Sequence, residues 1–249
     1  DRAPRDLMAN HVLLENISHK NLRINKVYKQ GAGYDLSLAR VFPVEFNQVQ
    51  REYPLFFIKN AESGQFDAIA LFGFDKNENL YLTENGWDAA YVPLTIDRQP
   101  FLIGFQEKLE DGIPRQDPVV HIDLDDPSVS ESEGERVFLP HGGESPFLER
   151  MTSVLMAIHQ GHEISKKFSQ LLVGLELIES VGLEIEFKDG SKQNLTGLYT
   201  IDAEKLRGLS ANGLEVLHAQ NHLKDVFLMM ASLQNMPQLI ERKNRRLTG

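Results

Sequence analysis

The sequence predicts an α+β protein: an antiparallel, β-rich N-terminal half, then a long helix, a β-hairpin and a bundle of short helices. Three observations predict it. Between residues 55 and 105, short apolar runs alternate with polar turns, the pattern of strands joined by tight connections. Between residues 147 and 178, apolar side chains recur at helical spacing behind a Ser145-Pro146 start signal. Residues 183–187 (LEIEF) then alternate strictly and lead into Asp189-Gly190, a strong hairpin turn. The reading divides the chain into a tail at 1–7, a β-rich half at 8–143 and a helical half with the hairpin at 144–249.

Residues 1–7 (DRAPRDL) precede Met8 and are set aside as an appended tail. Val12-Leu13-Leu14 opens the fold, and residues 22–28 (LRINKVY) alternate as an edge strand. Gly31-Ala32-Gly33 is a loop; without a third glycine or a helix start it carries no phosphate signal. Pro43 sets a boundary, residues 46–53 form a short helix, and Pro54 stops it.

Residues 55–58 (LFFI) and 66–74 (FDAIALFGF) are strands joined by a turn at 60–65. The second strand is apolar on both faces, so both faces need cover. Gly73 marks a bulge or a close backbone approach. A polar turn at 75–79 leads to Leu80-Tyr81-Leu82, completing a three-stranded meander. The turn imitates a calcium loop, but Leu80 and Gly86 stand where that loop requires glycine and a bidentate acid. Trp87, the single tryptophan, follows with Tyr91 and Phe101. Large rings at loop edges close a core or floor a pocket; the first reading places Trp87 mostly inside.

Residues 101–105 and 119–124 are two further strands around a turn at 111–114. Residues 125–135 (DDPSVSESEGE) are acidic and poor in apolar anchors, the composition of a mobile exposed loop. The long helix runs from Pro146 to about residue 179, with a bend near Gly161. Its stripe through Met151, Ile158, Phe168 and Leu172 places His162 inside, neutral and hydrogen-bonded. After the hairpin, Asp202 and Ser210 cap two short helices. Leu223, Phe227, Met230 and Leu233 stripe a third, and Pro237 starts the last. Arg242, Lys243, Arg245 and Arg246 end it, where cations complement the helix dipole.

Composition narrows function. A net charge of −10 opposes nucleic-acid binding, which needs a basic face. The absence of cysteine removes disulfides, thiolate catalysis and cysteine-ligated metals. No apolar run has the length of a membrane span and no signal-peptide pattern opens the chain. The cytoplasm is the default compartment, with signal-less export to the surface as the other route. No cofactor is predicted.

Several pieces together carry a family resemblance: Phe42-Pro43, Tyr53-Pro54, Gly86-Trp87, Tyr91-Val92-Pro93 and Arg98-Gln99-Pro100-Phe101. In this order, across about residues 8–243, the chain resembles the bacterial SapC family, named after a protein linked to a surface layer. Members commonly carry two arginines in the last piece; here Gln99 departs from that pattern. The resemblance implies an accessory or binding protein without its own catalysis, tied to the cell envelope, the surface layer or nutrient uptake. It implies a protein or glycan partner, with Trp87, Tyr91, Arg98 and Phe101 as candidate binding residues.

The alternative is an enzyme. His121 and Asp123 are a His-x-Asp pair on a strand. With a distant histidine they form the ligand set of non-haem iron oxygenases, which hold iron or another divalent metal with open positions. His141, His159, His162, His218 and His222 are the candidates for that third ligand. His159, His162 and Glu163 share one side of the long helix, but not in zinc-protease order. No Gly-x-Ser-x-Gly elbow is present.

Overall fold

The computed structural model describes residues 10–110 and 113–248. The tail at 1–7 and the centre of the turn at 111–112 lie outside the described residues. The described part is α+β with antiparallel sheets, as the sequence patterns predict. Its contacts gather the chain into two units. One takes Ile96–His159 with the chain up to Val27; the other takes Tyr28–Thr95 with the chain from Gln160. The sequence reading divides the chain at 143–144 by strand and helix content, whereas this grouping follows contacts between distant segments.

In the first unit, β1 (His11–Leu13) pairs with β9 (Ile113–Asp123), which pairs along its whole length with β8 (Phe101–Glu110). The hairpin is longer than the apolar runs predict. Polar cross-strand pairs such as Gln106↔Asp117 and Glu107↔Gln116 carry it outward. A second sheet sets β2 (Arg23–Ile24) between β10 (Val129–Ser130) and β11 (Glu135–Arg136). One expectation changes here. The strand at 22–28 is short and central rather than an edge. The acidic segment is anchored on both sides of it: Arg23 Nη1 donates to Gly134 O at 2.8 Å, and Asn25 Nδ2 to Glu133 Oε2 at 3.2 Å. Gly134 has φ +91°, and a Cβ there would lie 2.2 Å from Ile24 O, so only glycine fits this crossing.

In the second unit a five-stranded antiparallel sheet has the order β12-β13-β4-β5-β3. It comprises β3 (Leu38–Arg40), β4 (Leu55–Lys59), β5 (Phe66–Leu71), β12 (Ile178–Glu186) and β13 (Lys192–Ile201). Leu198↔Ile58 and Tyr199↔Phe57 join the hairpin to the N-terminal strands. The third strand of the expected meander is not in this sheet. Instead β3 pairs with β5, while β6 (Leu82–Thr83) and β7 (Gly86–Trp87) form their own two-stranded pair. The cause is the close approach at Gly73, where a Cβ would sit 2.3 Å from Glu78 O. Glu78 Oε2 also accepts from Phe74 N at 2.9 Å, folding the chain back at this point.

Short helices connect these parts: a 3-10 turn (Pro43–Glu45) leads into α1 (Phe46–Val49), and α2 (Leu94–Asp97) precedes β8. The long helix α3 (Pro146–Gly174) starts as predicted, with Ser145 Oγ accepting from Leu148 N at 3.1 Å. It ends at Gly174 rather than near residue 179. Leu177 N bonds to Leu172 O at 2.9 Å and Glu176 N to Val173 O at 3.0 Å, a Schellman stop with Glu176 at φ 56°. Ile178 therefore begins β12. Four helices close the chain: α4 (Ala203–Arg207), α5 (Ala211–Ala219), α6 (Leu223–Ser232) and α7 (Met236–Thr248). Asp202 and Ser210 cap the first two as predicted. On α6 the buried face is Val226, Met229 and Ser232, and Phe227 lies 53% exposed. Among the described residues no helix is long and apolar enough to cross a membrane.

Candidate functional site

The aromatic residues of the second unit meet around Trp87. Tyr53, Phe72 and Tyr81 are fully buried, each within ring contact of another. Trp87 lies edge-on to Phe72 at 5.3 Å and to Tyr28 at 5.7 Å, and parallel to Tyr81 at 6.4 Å. The residue is largely buried, as expected, with one part of its surface reaching solvent. The polar edge is consumed internally: Nε1 donates to Tyr53 Oη at 2.7 Å. Tyr53 Oη in turn donates to the Tyr91 carbonyl. Burial raises the pKa of Tyr53 above the ordinary phenol range, so this hydroxyl stays protonated and keeps donating.

Beneath Tyr91 lies Glu45, 3% exposed. Its carboxylate accepts three hydrogen bonds: Phe42 N on Oε1 at 3.1 Å, and both Tyr91 Oη and Leu94 N on Oε2 at 3.0 Å. Desolvation raises its pKa to about 7, against the opposing pull of those three donors. Trp87, Tyr53, Tyr91 and Glu45 thus form one series, linked by hydrogen bonds, from a partly exposed ring to a buried acid. The local sequence explains it: Pro43 starts the 3-10 turn that aims Glu45 inward, and Gly86 at φ 108° turns the chain into Trp87.

Basic residues of α7 clasp the same region. Arg242 pairs with Asp88 at 2.5 Å and lies 4.4 Å over the Tyr81 ring. Arg246 Nη2 donates to Asn79 O at 2.7 Å and Leu82 O at 2.6 Å. Lys243 is 9% exposed and bonds to Asp75 and Glu78, both at 2.6 Å. Burial opposes its charge, but the two carboxylates outweigh that and raise its pKa. These cations bind α7 to the 75–88 segment, which the helix-dipole reading did not foresee. An open cleft of about 460 Å³ lies beside them, lined by Lys29, Gln30, Leu82, Thr83, Glu84 and Arg246. Leu82 pairs with Trp87, and Lys29 follows Tyr28, so the cleft adjoins the aromatic group.

The other sequence candidates lie in the first unit. Phe101 is fully buried and meets Phe147 at 6.0 Å, so its ring belongs to the core. Arg98 Nη1 donates to Phe101 O at 2.9 Å, closing its own turn around the cis Gln99-Pro100 peptide. His121 packs on Gly104, whose Cβ would stand 2.6 Å from the imidazole Cε1. Asp123 Oδ1 accepts from Asn10 N and Asp125 N, both at 3.1 Å. Among the described residues no group of three or more His, Cys, Asp or Glu is placed to hold a metal ion. The metal alternative therefore gains no support. Lys26 is a further, largely buried cation: Nζ meets Asp97 Oδ1 at 2.9 Å, and Arg150 takes the other carboxylate oxygen at 2.8 Å. Burial lowers its pKa despite Asp97.

His162 does not face the interior. Gly161 takes that place, so close to Phe42 that a Cβ would be 2.7 Å from its ring, and His162 is exposed with its ring 4.9 Å from Phe42. The buried imidazole is His222, whose Nδ1 lies 2.9 Å from Asp225 Oδ2 and whose ring lies 4.9 Å from Phe168. The sequence signal was present: His222 and Asp225 stand i, i+3 at the start of α6, a spacing that brings side chains together.

A family model described as SapC matches residues 14–239. No curated protein and no solved structure matches the chain.

Proposed function

The chain belongs to the SapC family, and from that premise we propose that it is a non-catalytic binding or accessory protein of an envelope, surface-layer or nutrient-uptake system. Its partner is a protein or a glycan, met at Trp87. One observation carries this reading: a partly exposed indole whose N–H is already bonded to Tyr53, with rings of Tyr28, Phe72 and Tyr81 around it. Such a ring is held in one orientation before a partner arrives, so little side-chain entropy is lost on contact. Its remaining surface offers stacking, the interaction that aromatic residues give to apolar faces of sugars and side chains. The acidic and basic groups around it are paired with one another, which makes a rigid support.

Trp87 is the single tryptophan, so its fluorescence reports this place alone. Titration with soluble envelope oligosaccharides, and with detergent-free envelope protein fractions, is expected to shift or quench its emission saturably. Trp87→Ala should abolish binding measured by calorimetry while keeping the far-ultraviolet dichroism. Binding retained at full affinity in Trp87→Ala would refute the assignment.

A further inference from the structure

The hydrogen-bonded series beneath Trp87 ends on a buried carboxyl, and the geometry points to a use for it. We propose that protonation of Glu45 sets the position of the Trp87 ring, and so regulates the binding surface by pH. The inference rests on the binding reading for its biological meaning, but its physical content concerns the free protein.

Three donors converge on Glu45 within 3.1 Å, two of them from the 91–94 segment. That constellation fits an ionised carboxylate, because charge-assisted hydrogen bonds are about twice as strong as neutral ones. Burial works the other way, and the balance puts the change of charge at about pH 7. On protonation, the bonds from Tyr91 Oη and Leu94 N weaken, and the new O–H competes for an acceptor. The 91–94 segment then loses its tie to the 3-10 turn. Tyr91 also carries the carbonyl that receives Tyr53 Oη, and Tyr53 holds the indole N–H. Loosening at Glu45 therefore reaches Trp87 through Tyr91, whose hydroxyl bonds Glu45 and whose carbonyl accepts from Tyr53, and then through the Tyr53 hydroxyl, which is bonded on both sides.

Other titratable groups stand on the elements packed around Glu45. Arg40 at the end of β3 lies over the Phe42 ring and is paired with Asp67. His162 of α3 meets the same ring. His222 and Asp225 of α6, which packs on α1, are paired with each other. The test must separate Glu45 from the two histidines.

Trp87 emission and its quenching by iodide are recorded across neutral pH in the wild type and in Glu45→Gln, Tyr91→Phe, His162→Gln and His222→Gln. The wild type is expected to show a single-proton transition with a midpoint near 7, with greater quenching on the acid side. Glu45→Gln and Tyr91→Phe should flatten it, since one removes the titrating group and the other its link to the ring. The two histidine variants should keep it. A flat wild-type profile overturns the proposal, as does a transition that survives in Glu45→Gln or vanishes in a histidine variant. The profile needs no partner. A transition in a protein that binds nothing leaves the coupling standing and removes the binding reading; a partner bound with a flat profile does the reverse.

Discussion

Glu45 and His222 are the two residues whose burial has the clearest thermodynamic consequence. The Glu45 carboxyl keeps its proton to about pH 7 in the folded chain, against an ordinary value of 4.5. Protons therefore favour the folded state. The stabilisation is complete below pH 4.5 and is lost as pH rises through 7, by about 3 kcal/mol from this group. Chemical unfolding of the wild type and Glu45→Gln at several pH values isolates it: the wild type should lose stability relative to the variant as pH rises through this window. A difference independent of pH would contradict the raised pKa. His222 and Asp225 are both nearly sealed from solvent, at 7% and 8% side-chain exposure. Replacing His222 with Ala leaves a buried carboxyl without its partner and should cost about 2–4 kcal/mol. Replacing His162 should change stability by less than about 1 kcal/mol, because the ring is at the surface. Equal losses in the two variants would argue against this placement. Helical spacing points to His162 instead of His222 for a definite reason. Helical spacing fixes a stripe only to within one position on either side, and the contact of Gly161 with Phe42 selects 161 and 165 over 162.

At the scale of the element, starts were easier to read than stops. Ser145, Asp202 and Ser210 each accept the backbone N–H that their cap position predicts. The end of α3 carries no signal in the sequence. A Schellman stop usually has glycine at the left-handed position, and here Glu176 occupies it at φ 56°. What enforces the stop is burial: Leu172 and Leu177, which flank the turn, are both fully buried. Glu176→Gly removes the cost of holding a side chain in that conformation and should stabilise the protein by about 1 kcal/mol. A rise in the denaturant midpoint at unchanged slope is the expected reading; a fall would mean that the Glu176 side chain contributes more than its strain. The same limit applies to α6. Phe227 fits an apolar stripe by spacing, yet the face with Val226, Met229 and Ser232 is the buried one. Ser232 Oγ accepts from Leu55 N at 2.9 Å, a polar contact that periodicity of apolar residues does not reveal.

Over the whole molecule, strand identities were legible and strand partners were not. The runs at 55–58, 66–74 and 183–187 each read as strands from their own residues, although the second strand ends at Leu71. Their assembly into one sheet depends on β13 meeting β4 across the chain, through Leu198↔Ile58 and Tyr199↔Phe57. Local patterning carries no trace of a contact at such separation, so a meander within 55–82 was the natural expectation. The aromatic site shares that dependence, since Arg242, Lys243 and Arg246 reach it from the far end of the chain. A chain ending at Gly174 would lack β12, β13 and the last four helices. It would leave β4 as a sheet edge with Leu55, Phe56 and Phe57, all fully buried in the intact fold, open to water. Uncovering three such side chains costs about 1.5–3 kcal/mol each, comparable to the whole stability of a domain. The truncated chain should show no cooperative thermal transition, and its Trp87 emission should move to the wavelength of an exposed indole. Supplying residues 175–249 as a separate polypeptide during refolding should restore both, because β13 can dock on β4 without a covalent link. A cooperative melt in the truncated chain alone would show that the N-terminal strands fold without β13.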